Sequence, residues 1–147
     1  MDFDFSGGFG KAELRKRLAD QSLNLWYEPD RLVGLGCATI GTDAFPLPWY
    51  FSQDFGDLDV LNAFIVSAND EPLLEQAHVN GKQIALISRD SVTALGNPDS
   101  TAKWVEVRDH AGHTGCMLTD RLRSIASYRM TASAIQAKWR VTHFNGW

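Results

Sequence analysis

The stretch Lys103-Trp-Val-Glu-Val-Arg-Asp-His-Ala-Gly-His-Thr-Gly-Cys-Met-Leu118 spells a strand, a turn and a second strand in residue chemistry alone. Trp104, Val105 and Val107 favour extended backbone, because β-branched and aromatic side chains fit a pleated surface. Asp109 to Gly112 supplies turn residues, and Gly115-Cys116-Met117-Leu118 resumes an apolar run. A β-hairpin is predicted here.

Working outward, the same texture of short strands and turns runs from Leu61 to the C-terminus. Leu61 to Ser67, Gln83 to Ser88 and Ser91 to Leu95 read as strands, with a short extended piece at Leu73 to Ala77. Asn69-Asp70-Glu71-Pro72, Asn80-Gly81 and Arg89-Asp90 read as turns, and Gly96 to Ser100 as a polar loop. Arg121 to Ser127 follows the hairpin, and Tyr128 to Ala134 with Lys138 to Phe144 form a final antiparallel pair. Such spacing predicts a small barrel or sandwich.

Toward the N-terminus the pattern changes. Residues 2 to 10 alternate Asp and Phe before a Gly-rich run, a lead-in that Phe3, Phe5 and Phe9 are placed to pin to the body. Lys11 to about Asn24 has a helical apolar period through Ala12, Leu14, Leu18 and Ala19, and Pro29 is expected to stop that helix at Glu28-Pro29-Asp30. Arg31 to Phe55 has no regular period; Gly34, Gly36, Gly41, Pro46 and Pro48 punctuate it before Trp49-Tyr50-Phe51. Those aromatics fit either a ligand groove or an apolar plug in the core. The glycines do not form a dinucleotide fingerprint: Gly34-Leu-Gly36-Cys-Ala-Thr39 has no third Gly and no helix pattern behind it.

Composition bounds the function. An apolar fraction of 44%, with five Trp, eight Phe and three Tyr, is enough to offset ordering entropy by burial, so the chain should fold. A formal net charge of -4 offers no cationic field for a phosphate backbone or an anionic lipid surface, so nucleic acid is not an expected partner. Lys11, Arg15, Lys16 and Arg17 alternate with Glu13 and Asp20, as on a solvated helix face. No apolar run approaches twenty residues, so no spanning helix is expected. The start carries no secretory signal, which points to the cytoplasm; removal of a signal would point to the periplasm. Cys37 and Cys116 stand in no metal or redox spacing and are compatible with one disulfide or with two buried thiols.

The densest chemistry is Asp109, His110, His113 and Cys116. Strand alternation turns His113 and Cys116 to opposite faces, so a polar turn is expected and no metal. His78 and His143 have no Ser, Cys and acid in a known catalytic order. Asp54, Asp57 and Asp59 lack the ligand order and closing Glu of an EF-hand and read as a solvated acidic loop able to attract a basic partner.

Trp104-Val-Glu-Val-Arg108, the turn to Gly112 and Thr114-Gly115-Cys116-Met117 resemble the central strands of bacterial SH3-like domains. Phe64-Ile-Val-Ser67 with Glu71-Pro-Leu-Leu74, then Lys82 to Ser88 and Ser91 to Leu95, is similar to the first strand, RT-loop region and second strand of that family. Leu122-Arg-Ser124, Tyr128-Arg129 and Lys138 to Phe144 resemble the C-terminal hairpin extension of a subset of it. Cys116 stands where the family commonly has Tyr or Trp, and the final turn at Ile135-Gln136-Ala137 lacks the usual Asn-Gly or Asp-Gly.

The resemblance implies a mostly β chain: an SH3-like barrel with C-terminal hairpin over 61–147, carrying an N-terminal extension with one helix over 1–60. It implies a non-enzymatic module that recognises a protein or peptide, without cofactor, in an envelope-peptide or toxin-immunity role. Trp49, Tyr50, Asp57 and Trp104 at the barrel mouth are the candidate partner-binding residues, since aromatic anchors and complementary charge dominate interfaces. The competing expectation is a flavin-binding split-barrel oxidoreductase, from a faint likeness of Gln83-Ile-Ala-Leu86 and Lys103 to Arg108 to flavin-barrel strands.

Overall fold

A computed structural model describes residues 11–96 and 101–145. The expected anchoring by Phe3, Phe5 and Phe9 and most of the polar loop after Gly96 lie outside those residues. Strand makes up 39% and helix 20%, well above the roughly 20–25% strand of an average soluble domain. The fold is mostly β, with two antiparallel sheets.

The chain forms two compact units, one of residues 55–126 and one joining 1–54 to 127–147. Among the described residues the second holds helix α1 (Lys11–Ala19), a 3-10 turn at Gln21–Leu23 and helix α2 (Tyr27–Leu35). The helix expected to reach Asn24 therefore ends earlier. Asp20 accepts the Ser22 N–H at 2.9 Å and the Ser22 hydroxyl at 2.6 Å, opening the 3-10 turn, and Asn24 at φ 49° closes it. Pro29 does not stop a helix; it sits in the first turn of α2, where its missing N–H would have had no intrahelical acceptor.

Strand β1 (Ala44–Leu47) follows, and β9 (Arg129–Ile135) and β10 (Lys138–Asn145) complete a sheet in the order β1-β9-β10. Pro46 is tolerated because its carbonyl faces outward, accepting the Ala38 N–H at 3.2 Å. The N–H it lacks would lie on that same outer side, so the ladder to β9 loses nothing. The C-terminal hairpin, expected as an extension of the barrel, pairs with β1 instead: Leu47 faces Met130, and Met130 faces Phe144. These three residues share a buried cluster with Leu25 and Leu32, so burial of the hairpin's apolar face decides its partner.

Residues 55–126 hold β2 (Ala63–Val66), β3 (Glu71–Leu74), β4 (Gln83–Ile87), β5 (Ser91–Ala94), β6 (Trp104–Asp109), β7 (Thr114–Leu118) and β8 (Leu122–Ser124). Their order in the sheet is β4-β3-β7-β6-β5-β2-β8. The expected barrel is not closed: β4 and β8 stand at the two ends of this order. Val66, Leu73, Ile87, Val92, Ala94, Val105, Val107 and Met117 form its core. Gly115 allows β3 to meet β7, for a Cβ there would lie 2.6 Å from the Leu74 carbonyl oxygen and 3.0 Å from Leu73 Cγ.

Candidate functional site

The predicted hairpin is present, with Trp104 opposite Leu118 and Arg108 opposite Thr114. Its turn closes through Asp109 N–H to the His113 carbonyl at 3.0 Å, with Gly112 at φ 88° in the left-handed region. Asp109 holds the turn from within. Its Oδ1 accepts the His113 N–H at 2.8 Å and its Oδ2 accepts the His113 Nδ1–H at 2.8 Å; a carboxylate only accepts, so the ring proton is on Nδ1. Burial pushes the Asp109 carboxyl upward, but the His113 ring bond, the His113 N–H, the His113 charge and the Ala111 N–H outweigh it and hold the pKa below the usual value.

His110 takes a different carboxylate, placing Nδ1 2.9 Å from Asp90 Oδ2. The β5–β6 register explains this contact: Val92 faces Asp109, which brings the residues before Val92 beside those after Asp109. Nothing in the linear spacing of Asp90 and His110 signals it. Cys116 lies instead in mid-strand opposite Glu106. Burial, and then the Glu106 charge, pushes its thiol pKa up, which makes it a poor thiolate ligand or nucleophile. Each histidine of the turn thus has its own acid, and no group of three or more His, Cys, Asp or Glu is placed to hold a metal ion among the described residues. Cys37 is exposed and both cysteines are free thiols.

A second polar chain lies on the three-stranded sheet, where Ser133 Oγ is 3.0 Å from Thr142 Oγ1 and His143 Nδ1 is 3.3 Å from the same atom. Thr142 donates its own proton to the Thr131 carbonyl at 3.2 Å. Thr142 is thus shared between the Thr131 carbonyl, Ser133 and His143. His143 Nδ1 meets the Thr142 hydroxyl, which stands between it and Ser133, so the histidine is not placed against the serine as an activating base is.

The expected contact residues divide between the units. Trp49 and Tyr50 lie on the 3-10 turn Trp49–Ser52, ring centroids 5.7 Å apart and edge to face. Tyr50 is only 3% exposed, so it supports Trp49 from below and offers a partner no surface. Phe51 beside them lies under the Arg129 guanidinium, 4.8 Å from ring centroid to Cζ. Asp57 is exposed in the turn before β2, and Trp104 is half-buried at the start of β6. Because Val105 and Val107 point into the core, alternation sets Trp104 on the opposite face with Glu106 and Arg108. The neighbouring Asp59 carboxylate is engaged locally, accepting from Leu61 N–H at 3.0 Å and Asn62 Nδ2 at 2.8 Å, an Asx-type turn.

Linear pattern did not reveal which apolar side chains would stand outside. Trp26, Tyr27 and Trp139 are each more than half exposed, and Ile84 and Leu86 are exposed on β4. No family model, curated protein or solved structure matches the chain.

Proposed function

We propose that this chain is a non-enzymatic binding module, SH3-like over residues 55–126, that recognises a protein or peptide. The observation that carries this reading is the strand order. The segments that resemble the first strand, RT-loop region, second strand and central strands are β2, the β3–β4 hairpin, β5 and the β6–β7 hairpin; they follow in that order along the chain and share one antiparallel sheet, in which β2 lies beside β5, β5 beside β6, β6 beside β7, and the β3–β4 hairpin joins through β7. Trp104 opens the strand between β5 and β7 and keeps one face outside the core. Asp57 and Trp104 are the contact residues proposed on residues 55–126, and Trp49, supported by Tyr50 beneath it, is a separate contact proposed on the other unit.

Affinity capture from the source cells, followed by titration of the purified partner, tests this function. Trp49→Ala, Asp57→Lys and Trp104→Ala are each expected to weaken binding at least tenfold while far-UV circular dichroism is unchanged. Co-purification of a yellow chromophore with turnover of a reduced nicotinamide would replace this reading with the flavin oxidoreductase.

A further inference from the structure

Every exposed sheet edge presents backbone N–H and C=O groups that can pair with another strand, and proteins ordinarily guard such edges with charge, proline, bulges or short length. Among the described residues, three of the four edges are guarded. Strand β8 has three residues, with Arg123 at its centre. Strand β1 contains Pro46 and takes the Ala38 N–H on its outer side. Strand β10 carries Lys138, Arg140 and His143 and has a register shift between Val141 and His143.

Strand β4 is different. Gln83-Ile-Ala-Leu-Ile87 has no charge and no proline, and it stands at the end of its sheet. Leu86 is 54% and Ile84 38% exposed. A register shift at Ile84 is its one irregularity, and Ala85 to Ile87 pair regularly with β3. Opposite Leu86 stands Pro72, in a pair whose backbone polar groups point away from each other: Glu75 donates to the Lys82 carbonyl and Arg89 to the Ala68 carbonyl, so by alternation the Leu86 N–H and C=O face the open edge. The strand is bracketed by two exposed cations, Lys82 before it and Arg89 after it.

We infer that the open edge of β4 is a strand-pairing surface that takes an extended peptide with aliphatic side chains at alternate positions and carboxylates at its ends. This inference rests on the binding-module reading above and names its partner chemistry. Main-chain hydrogen bonds to the Leu86 N–H and C=O supply register, the Leu86 side chain receives the aliphatic side chains, and Lys82 and Arg89 meet the terminal carboxylates.

The test uses the full chain, isotopically labelled, titrated with the capped peptide Asp-Val-Thr-Val-Thr-Val-Asp, with its Lys-ended counterpart and with a version whose central Val is Pro. The Asp-ended peptide is expected to shift the amides of Ala85 to Ile87 and to protect that of Leu86. Leu86→Lys should weaken it at least tenfold, Lys82→Glu should shift preference toward the Lys-ended peptide, and Val60→Lys at another exposed apolar site should change nothing. Equal binding of all three peptides, shifts confined to other strands, or a concentration-dependent dimer abolished by Leu86→Lys would overturn the inference. If a partner captured from cells binds Leu86→Lys and the wild type alike, the β4 assignment fails and the binding-module reading stands.

Discussion

Asp109 grips His113 twice, with one carboxylate oxygen on its backbone N–H and the other on its ring Nδ1, each at 2.8 Å. The side chain of Asp109 is 9% exposed, whereas that of His113 is 51% exposed, so the carboxylate is a partly covered clasp for the β6–β7 turn. Removing it leaves the His113 N–H and ring Nδ1–H without their acceptor. Asp109→Ala is expected to destabilise residues 55–126 by about 1.5–3 kcal/mol, the range for hydrogen bonds to a charged group. Urea titration followed by Trp fluorescence measures it. His110→Ala, which breaks a pair with both side chains well exposed, should cost no more than about 1 kcal/mol.

The same clasp sets an acid dependence. The folded-state pKa of Asp109 is depressed, so the stability it contributes is complete above the unfolded value of about 3.9 and is lost as pH falls through the lower folded value. The difference in unfolding free energy between wild type and Asp109→Asn should therefore be largest near neutral pH and shrink below about pH 4. A difference that stays constant down to pH 2 would show that Asp109 is not held low.

Gly115 has no room for a methyl group, since the Leu74 carbonyl and the Leu73 and Ile84 side chains stand within 3.0 Å of where a Cβ would be. Gly115→Ala is expected to cost about 1–3 kcal/mol by overpacking. The urea midpoint falls accordingly, and amide protection along β3 and β7 falls with it.

The β9–β10 turn departs from its usual chemistry at an energetic cost. Gln136 at φ 50° and Ala137 at φ 58° occupy the left-handed region that a two-residue hairpin of this type requires, with neither Asn nor Gly to ease it. Gln136→Asn with Ala137→Gly should stabilise residues 1–54 and 127–147 by about 1 kcal/mol, seen as a higher thermal midpoint with unchanged far-UV circular dichroism.

Residues 55–126 should fold when expressed alone. Their core is drawn wholly from their own strands, and their ends are neighbours because β2 pairs with β8, Phe64 opposite Ser124. The prediction is a dispersed amide spectrum and cooperative urea unfolding; a collapsed spectrum would show that this unit depends on the remainder of the chain.

Most strands of residues 55–126 were legible in the sequence because their signals are local; β3 was not, for Glu71 and Pro72, expected in a turn, open it and it ends at Leu74, short of Ala77. Alternation of Val105 and Val107 with polar neighbours, the Asp109 to Gly112 turn and the β-branched runs at Phe64 to Val66 and Ser91 to Ala94 act over a few residues, so element type and approximate bounds could be read directly. The first helix was legible in kind but not in extent, because capping of the 3-10 turn by Asp20 competes with helix continuation through hydrogen bonds that periodicity does not register.

Tertiary structure alone decided which strands became neighbours. The chain by itself determined that 138–144 would be a strand; that its hairpin joins β1 followed from burying Leu47, Met130 and Phe144 with Leu32 in one core, a long-range choice with no local signature. The same holds for the candidate surfaces. Trp104 could be read as a strand residue, but its outward face depended on which neighbours entered the core, and Tyr50 could be placed beneath the surface only once its surroundings were packed. Asp90 meets His110, and β4 is left as an open edge, because pairing between distant segments sets the register and ends of a sheet.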